Sequence, residues 1–173
     1  MTDPSITDQS QTLVPLLKRA GAVIESEIRG ASMGDTLVSG TRIRIRCGTG
    51  ADYVNGTVIA FLGRNGLVGH RIVGTGRDRR GREFLLTRGD GTPIPDPPID
   101  AERVLGEVIE WQDGEAWRPI RGAPPGTLLG RSVAAVTLML IRGLLAVDAH
   151  LAARTAALLT KLSRRLPPRG LSS

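Results

Sequence analysis

The chain has 173 residues, of which 40% are hydrophobic, so it can bury the core of one compact domain with appendages. Its 22 Gly and 11 Pro favour a β-rich body over a helical bundle. The net charge of +6 comes almost entirely from Arg, but only 3% of residues are aromatic. Base-stacking platforms, and with them nucleic-acid binding, are therefore not expected, and a solvated basic surface or attraction to anionic lipid is favoured.

The start of the chain is polar, and residues 1–10 are expected to be disordered. Leucines at helical spacing then predict a short amphipathic helix within 11–20, so that 1–21 form a disordered start and a short helix. The first apolar cluster is short and interrupted, so neither a cleavable signal peptide nor a clear membrane span is expected. The predicted location is cytoplasmic or peripheral to a membrane.

Residues 22–120 are predicted to form one β-rich domain. Strands are expected around 24–28 and over 41–47, 55–62, 67–73, 82–88 and 103–111. Residues 74–81 are expected to form a charged loop, and Gly89–Gly91 a turn. Short strands with frequent turns are typical of a coiled antiparallel sheet or small barrel, so the predicted class is mainly β.

The one cysteine, Cys47, ends an alternating run of Arg and apolar residues that begins at Arg42. It shares a face with Ile43 and Ile45, so it is expected to be a small buried core residue and not a nucleophile. A single cysteine excludes an intrachain disulfide. With only His70 and His150 as imidazoles, neither a metal site nor a cofactor is predicted.

Residues 121–127 form a Gly/Pro linker, and 128–173 are predicted to be a helical extension. Its expected apolar face consists of Val133, Val136, Leu140, Leu144, Val147 and Leu151, continued by Leu158 and Leu162. Arg142 and Asp148 oppose a membrane span, because a charge at a helix centre costs about 2.5–3.5 kcal/mol. Three alternatives stay open for 128–166: packing on the domain, binding a partner helix, or lying flat on a membrane.

Three short segments of the β-rich domain carry the parts of a serine hydrolase. Ser32 lies in GASMGD, His70 in VGHRIV, and Asp90 and Asp96 in LLTRGDGTPIPD. A hydroxyl, an imidazole and a carboxylate together perform nucleophilic catalysis. Each also has an ordinary structural explanation: a serine in a turn, a strand histidine bonded to a carbonyl, and an Asx-turn aspartate.

These segments, within residues 24–110, resemble the signal peptidase family, in particular its Ser–His–Asp branch from archaea and the endoplasmic reticulum. The family pattern Ser-Met-x-Pro-Thr corresponds to residues 32–36, with Asp35 in place of the proline, which predicts a looser turn. Bacterial signal peptidases and LexA-type repressors use a lysine base where this chain has His70. Lys18 and Lys161, its two lysines, lie outside the β-rich domain.

The resemblance implies a role for each of these residues. Ser32 would be the nucleophile and His70 the general base. Asp96 is favoured over Asp90 as the acid that orients the imidazole, with Asp90 as the alternative or supporting acid. Gly30 and Met33 would contact the substrate. The backbone N–H of Ser32 is the expected oxyanion donor. Some bacterial relatives add a serine side chain two positions before the nucleophile, where this chain has Gly30.

The function expected from the resemblance is a serine endopeptidase that cleaves a leader or signal-like peptide after small residues. The alternative is a catalytically inactive module on the same fold that binds a peptide or a protein partner. Regulatory self-cleavage, as in LexA-type repressors, is disfavoured because the lysine base is absent and residues 1–20 are too short for a DNA-binding domain.

Overall fold

The computed structural model describes residues 14–49, 53–63, 66–120 and 128–163. The predicted disordered start (1–10) and the Gly/Pro linker (121–127) lie outside these residues. Residues 14–20 are helical and form α1. The eight strands are β1 (Val23–Glu27), β2 (Arg42–Cys47), β3 (Val58–Gly63), β4 (Gly66–Arg77), β5 (Glu83–Arg88), β6 (Ile99–Asp100), β7 (Val104–Asp113) and β8 (Ala116–Pro119). Two helices follow, α2 (Leu128–Val147) and α3 (Ala149–Ser163).

The strands form one antiparallel sheet in the order β1-β2-β7-β3-β4-β5-β6, with β8 paired to β7. The sheet does not close, so β1 lies at one edge. The register shifts at Arg44/Ile45, Ala60/Phe61 and Ile72/Gly74, and such bulges increase twist and bend a sheet. The mainly β class, with a short N-terminal helix and helices at the C-terminal end, is confirmed.

The alternation predicted for β2 is present. Ile43, Ile45 and Cys47 are buried, whereas Arg42 and Arg46 are exposed. The three buried side chains join a core that also holds Met33 and Val108. Cys47 is thus a core residue, as predicted, and its burial raises the pKa of the thiol.

Strand β4 is longer than predicted. The expected loop at 74–81 begins only after Arg77, because Thr75 to Arg77 continue the pairing with β5 beyond the bulge. Polar and Gly-rich composition suggested a loop there, but Gly76 serves packing: a Cβ on it would lie 2.6 Å from a methyl of Leu145. The short strands β6 and β8 were not predicted either, since each has too few residues to show a period.

The C-terminal segment forms two helices that break at Asp148. The Asp148 carboxylate accepts hydrogen bonds from the backbone N–H groups of His150 and Leu151, and so caps the start of α3. The helices pack on the sheet through a core cluster of Phe84, Leu86, Ile141, Leu145, Ala152 and Ala156. Within the described part of the chain, no helix combines the length and hydropathy needed to cross a membrane.

The apolar face predicted for α2 is not the one that meets the sheet. Val136, Leu140 and Val147, which were predicted to share that face, are all exposed. Ile141 and Leu145 are buried instead. Since α2 is apolar on both sides, its periodicity alone could not tell which side meets the sheet.

Candidate active site

Ser32 lies in a turn that follows β1, as the sequence predicts. The paired part of the strand continues to Ile28, whose N–H donates to the Thr41 carbonyl. The chain then turns into a short 3-10 helix over Gly34–Thr36. Hydrogen bonds from Gly34 N–H to the Ala31 carbonyl and from Thr36 N–H to the Met33 carbonyl close this turn.

The turn that carries Ser32 packs directly against the Gly89–Gly91 turn that follows β5. The Gly91 N–H donates to the Ser32 carbonyl at 2.9 Å. A Cβ on Gly89 would lie 2.3 Å from that same carbonyl oxygen, which no side chain can tolerate. Glycine at position 89 therefore allows the close backbone contact that fixes Ser32 relative to β5.

His70 lies on β4 and connects Ser32 to a carboxylate. Its Nε2 is 2.7 Å from Ser32 Oγ, and its Nδ1 is 2.5 Å from Asp96 Oδ2. The imidazole is buried, and the edge-to-face contact with Phe61, with ring centroids 6.1 Å apart, restrains it further. Both ring nitrogens therefore bond side chains, in contrast to a structural histidine bonded to a backbone carbonyl.

Asp96 is held in place by Thr87 on β5. The Thr87 hydroxyl donates to Asp96 Oδ2 at 2.8 Å, and the Asp96 N–H donates to the Thr87 carbonyl at 2.7 Å. Thr87 is fully buried. A carboxylate bonded on one oxygen by a fixed hydroxyl and by an imidazole N–H orients that imidazole with its other nitrogen toward the nucleophile.

Asp90 has a different environment, although it lies on the same segment. It accepts two parallel hydrogen bonds from the Arg71 guanidinium, at 2.9 and 2.7 Å, and one from the Thr36 hydroxyl at 2.8 Å. Burial raises the pKa of Asp90, but the hydrogen bonds from Arg71 and Thr36 and the charges of Arg71 and Arg88 outweigh it and hold this pKa below its ordinary value. Asp90 therefore braces the turn that carries Ser32 against β4, and Asp96 is the carboxylate beside His70.

The two residues expected to contact the substrate differ in accessibility. Gly30 is exposed and has a φ of 105°, a conformation that favours glycine. Met33 is only 1% exposed and packs in the core beneath the turn, so its side chain is a core residue and not a substrate contact. The buried Met33 side chain anchors the turn that carries Ser32 to the core.

The backbone N–H of Ser32 has no hydrogen-bond acceptor among the described residues, and the Ser32 side chain is half-buried. An N–H donor without an acceptor beside a nucleophilic hydroxyl is what an oxyanion hole requires. The Gly30 N–H, by contrast, donates to Ser39 Oγ at 3.2 Å.

Thr36, Arg71 and Thr87 belong to the site, but sequence reasoning gave them no role. Each lies next to a predicted site residue or within the same motif. Their positions near the motifs could have suggested a role in the site. The aspartates to which they donate hydrogen bonds, however, are 54, 19 and 9 positions away along the chain. Such distant pairs become visible only in the folded chain.

Comparison of the chain with known protein families, with curated proteins and with solved structures found no match. Among the described residues, no cluster of three or more His, Cys, Asp or Glu side chains could hold a metal ion.

Proposed function

We propose that this protein is a serine endopeptidase of the signal-peptidase type, with Ser32 as nucleophile, His70 as general base and Asp96 as the orienting acid. The observation that carries the proposal is the continuous hydrogen-bonded line from Ser32 Oγ through both nitrogens of His70 to Asp96. An alcohol, an imidazole and a carboxylate in this order form the constellation that activates a serine for acyl transfer.

In the proposed reaction, Ser32 Oγ attacks the carbonyl carbon of the scissile peptide bond while His70 Nε2 takes the hydroxyl proton. The carbonyl oxygen becomes an oxyanion, to which the Ser32 N–H can donate. The C–N bond then breaks, and His70 returns the proton to the leaving amine. This leaves an acyl ester on Ser32. Water attacks the ester, His70 takes the water proton, and the proton returns to Ser32 Oγ as the acid product leaves.

The open edge of β1 is the proposed place for an extended peptide. In the described structure β1 pairs only with β2. The backbone groups of Ile28 bond toward β2, through Thr41 and Gly40. Because successive residues bond to opposite edges, the backbone groups of Glu25 and Glu27 point to the open side. A peptide added there by strand pairing would run toward the turn that carries Ser32.

The substrate class rests on the resemblance of residues 24–110 to signal peptidases, which cleave leader or signal-like peptides after small residues. With Asp35 and Gly30 in place, the turn that carries Ser32 is closed by backbone hydrogen bonds. Gly30 does lack the side chain from which some bacterial relatives donate to the oxyanion. We therefore expect transition-state stabilisation to depend mainly on the backbone of Ser32.

The test is to incubate the purified full chain with peptides that carry an apolar stretch followed by small residues, and to detect products by mass spectrometry. We expect Ser32→Ala and His70→Ala to lower the cleavage rate by about 10⁴-fold or more, and Asp96→Asn by about 10⁴-fold. Ser132→Ala, in α2 and outside the proposed peptide site, is the matched serine control and should cleave at the wild-type rate.

Acylation by a serine-directed probe gives an independent measurement, since it needs no knowledge of the substrate. We expect labelling of the wild type at Ser32, and none of Ser32→Ala. A folded wild type that is neither labelled nor active on any peptide would overturn the proposal and favour the inactive binding module. Cleavage that persists in Ser32→Ala would also overturn it.

A further inference from the structure

Helix α2 presents an apolar surface on the side away from the sheet. Val136 is 70% exposed and Met139 is 78% exposed, whereas Ile141 and Leu145 on the other side are fully buried. The steps between the exposed residues, 136, 139, 140, 143 and 147, keep them on one face. When a helix is apolar on both sides, one face is buried in the core. The other face favours contact with a further apolar environment.

Helix α3 continues this surface and adds charge beside it. Leu151, Leu158 and Leu162 are exposed at steps of seven and four residues. Arg154 and Lys161, seven positions apart, form a second exposed stripe next to the leucines. An apolar stripe bordered by cations is typical of helices that lie in the interface of a membrane.

The charge of the whole chain is concentrated in this segment. Residues 128–173 contain seven Arg or Lys and one Asp, so their net charge is +6, which equals the net charge of the complete chain. Residues 1–127 contain 16 basic and 16 acidic residues. The single acid of the segment, Asp148, is engaged in capping α3. Residues 128–173 are therefore strongly cationic, whereas residues 1–127 carry no net charge.

We propose that α2 and α3 dock this protein on the surface of a membrane that contains anionic lipid, with both helices parallel to the bilayer plane. The docking surface comprises the exposed apolar residues Val136, Met139, Leu140, Val147, Leu151, Leu158 and Leu162, with Arg142, Arg154 and Lys161 as the neighbouring cations. The apolar side chains enter the boundary between headgroups and acyl chains, and the cations meet the lipid phosphates.

Charge decides between lipid and a second copy of the chain as the occupant of this surface. In a two-fold dimer the same patch meets itself, so Arg142, Arg154 and Lys161 of one copy would face the same cations of the other. Like charges brought together at an interface oppose association. An anionic membrane neutralises the same charge, and it also accepts the apolar side chains.

The docking surface lies away from the proposed catalytic residues. The helices pack on Phe84 and Leu86 of β5, whereas Thr87, which holds Asp96, points to the opposite face of that strand. Lipid contact through the helices therefore leaves Ser32 uncovered. The inference does not depend on catalysis, and it can be tested on a chain that carries Ser32→Ala.

The experiment is flotation of the full chain with vesicles of phosphatidylcholine alone, or of equal parts phosphatidylcholine and phosphatidylglycerol. We expect binding to the anionic vesicles and its loss in high salt, which screens the charges. Removing two cations with Arg154→Gln/Lys161→Gln should weaken partitioning by about 25-fold, since each cation near the surface contributes about fivefold. Met139→Glu should weaken it by at least about tenfold, because its carboxylate must be dehydrated.

Two matched controls carry the same chemical changes on the neutral domain. Arg103→Gln/Arg118→Gln removes two exposed cations, and Val54→Glu places a carboxylate at a residue that is 70% exposed. Both should float like the wild type. The proposal is overturned if wild type fails to float, if neutral vesicles bind it equally, or if the controls lose as much binding as the helix variants. It is also overturned if light scattering shows a dimer that Met139→Glu dissociates.

Discussion

The sheet around Ser32 and the helices α2 and α3 differ in how many of their side chains contact other parts of the protein. In the sheet, both nitrogens of His70 have partners, and so do the carboxylates of Asp90 and Asp96. On the described residues of the helices, exposed leucines and cations face outward, and Asp148 caps the start of α3 by hydrogen bonds. The first arrangement fits the proposed catalysis, which needs a fixed geometry, and the second fits the proposed docking on a membrane.

Asp90 and Asp96, which lie on one loop, differ in their partners and in their exposure. Asp96 takes its hydrogen bonds on an oxygen that faces an imidazole, and its side chain keeps 21% exposure. Asp90 is 2% exposed and pairs with a guanidinium that is 4% exposed. Asp96 has the proposed catalytic role next to the solvent, whereas Asp90 ties three segments together beneath it. Variants at the two kinds of position should therefore fail in different ways.

The largest expected effect on stability is that of Asp90→Asn. This change removes the negative charge that the buried Arg71 guanidinium faces, and breaking such a pair typically costs about 3–5 kcal/mol. The free energy of unfolding from urea titration measures it. Asp113→Asn, which breaks an exposed ion pair with Arg118, is the control and should change this free energy by less than about 1 kcal/mol. Equal effects would show that Asp90 is not the structural brace.

A somewhat smaller effect is expected from Leu145→Ala on the inner side of α2. Leu145 is fully buried against the sheet, and removing such a side chain costs about 2–5 kcal/mol. Met139→Ala, on the outer side of the same helix, should stay within about 0.5 kcal/mol. Thermal and urea unfolding of the two variants compare the faces directly. If Met139→Ala destabilised the protein as much, the outer face would be part of the core.

The smallest expected effect is on how the free energy of unfolding changes at acidic pH. Because the pKa of Asp90 is held below its ordinary value, its stabilising contribution is fully present above about pH 4, the usual carboxyl pKa of an unfolded chain. That contribution is lost as the pH falls through the lower pKa of the folded state. The stability difference between wild type and Asp90→Asn should therefore shrink on acidification from about pH 6 to about pH 3. A difference that stays constant over this range would contradict the assigned ion pair.

Much of the sheet could be predicted because its local patterns agree with its tertiary contacts. The alternation in β2 placed Ile43, Ile45 and Cys47 on one face, and all three are buried. The extension of β4 could not be predicted, because Thr75–Arg77 have no apolar period and owe their strand conformation to β5. The strand conformation of that segment is set by its pairing with β5 and not by its own composition.

The candidate site, like the sheet, could be predicted from the sequence only in part. The sequence by itself determined that a serine after a strand, a strand histidine and a loop carboxylate exist in this order, since motif and turn chemistry are local. Only the tertiary structure decided that Asp96 meets His70 while Asp90 meets Arg71, and that Met33 belongs to the core. It also decided which face of α2 meets the sheet. Those choices depend on contacts between residues far apart along the chain, and a one-dimensional pattern carries no information on them.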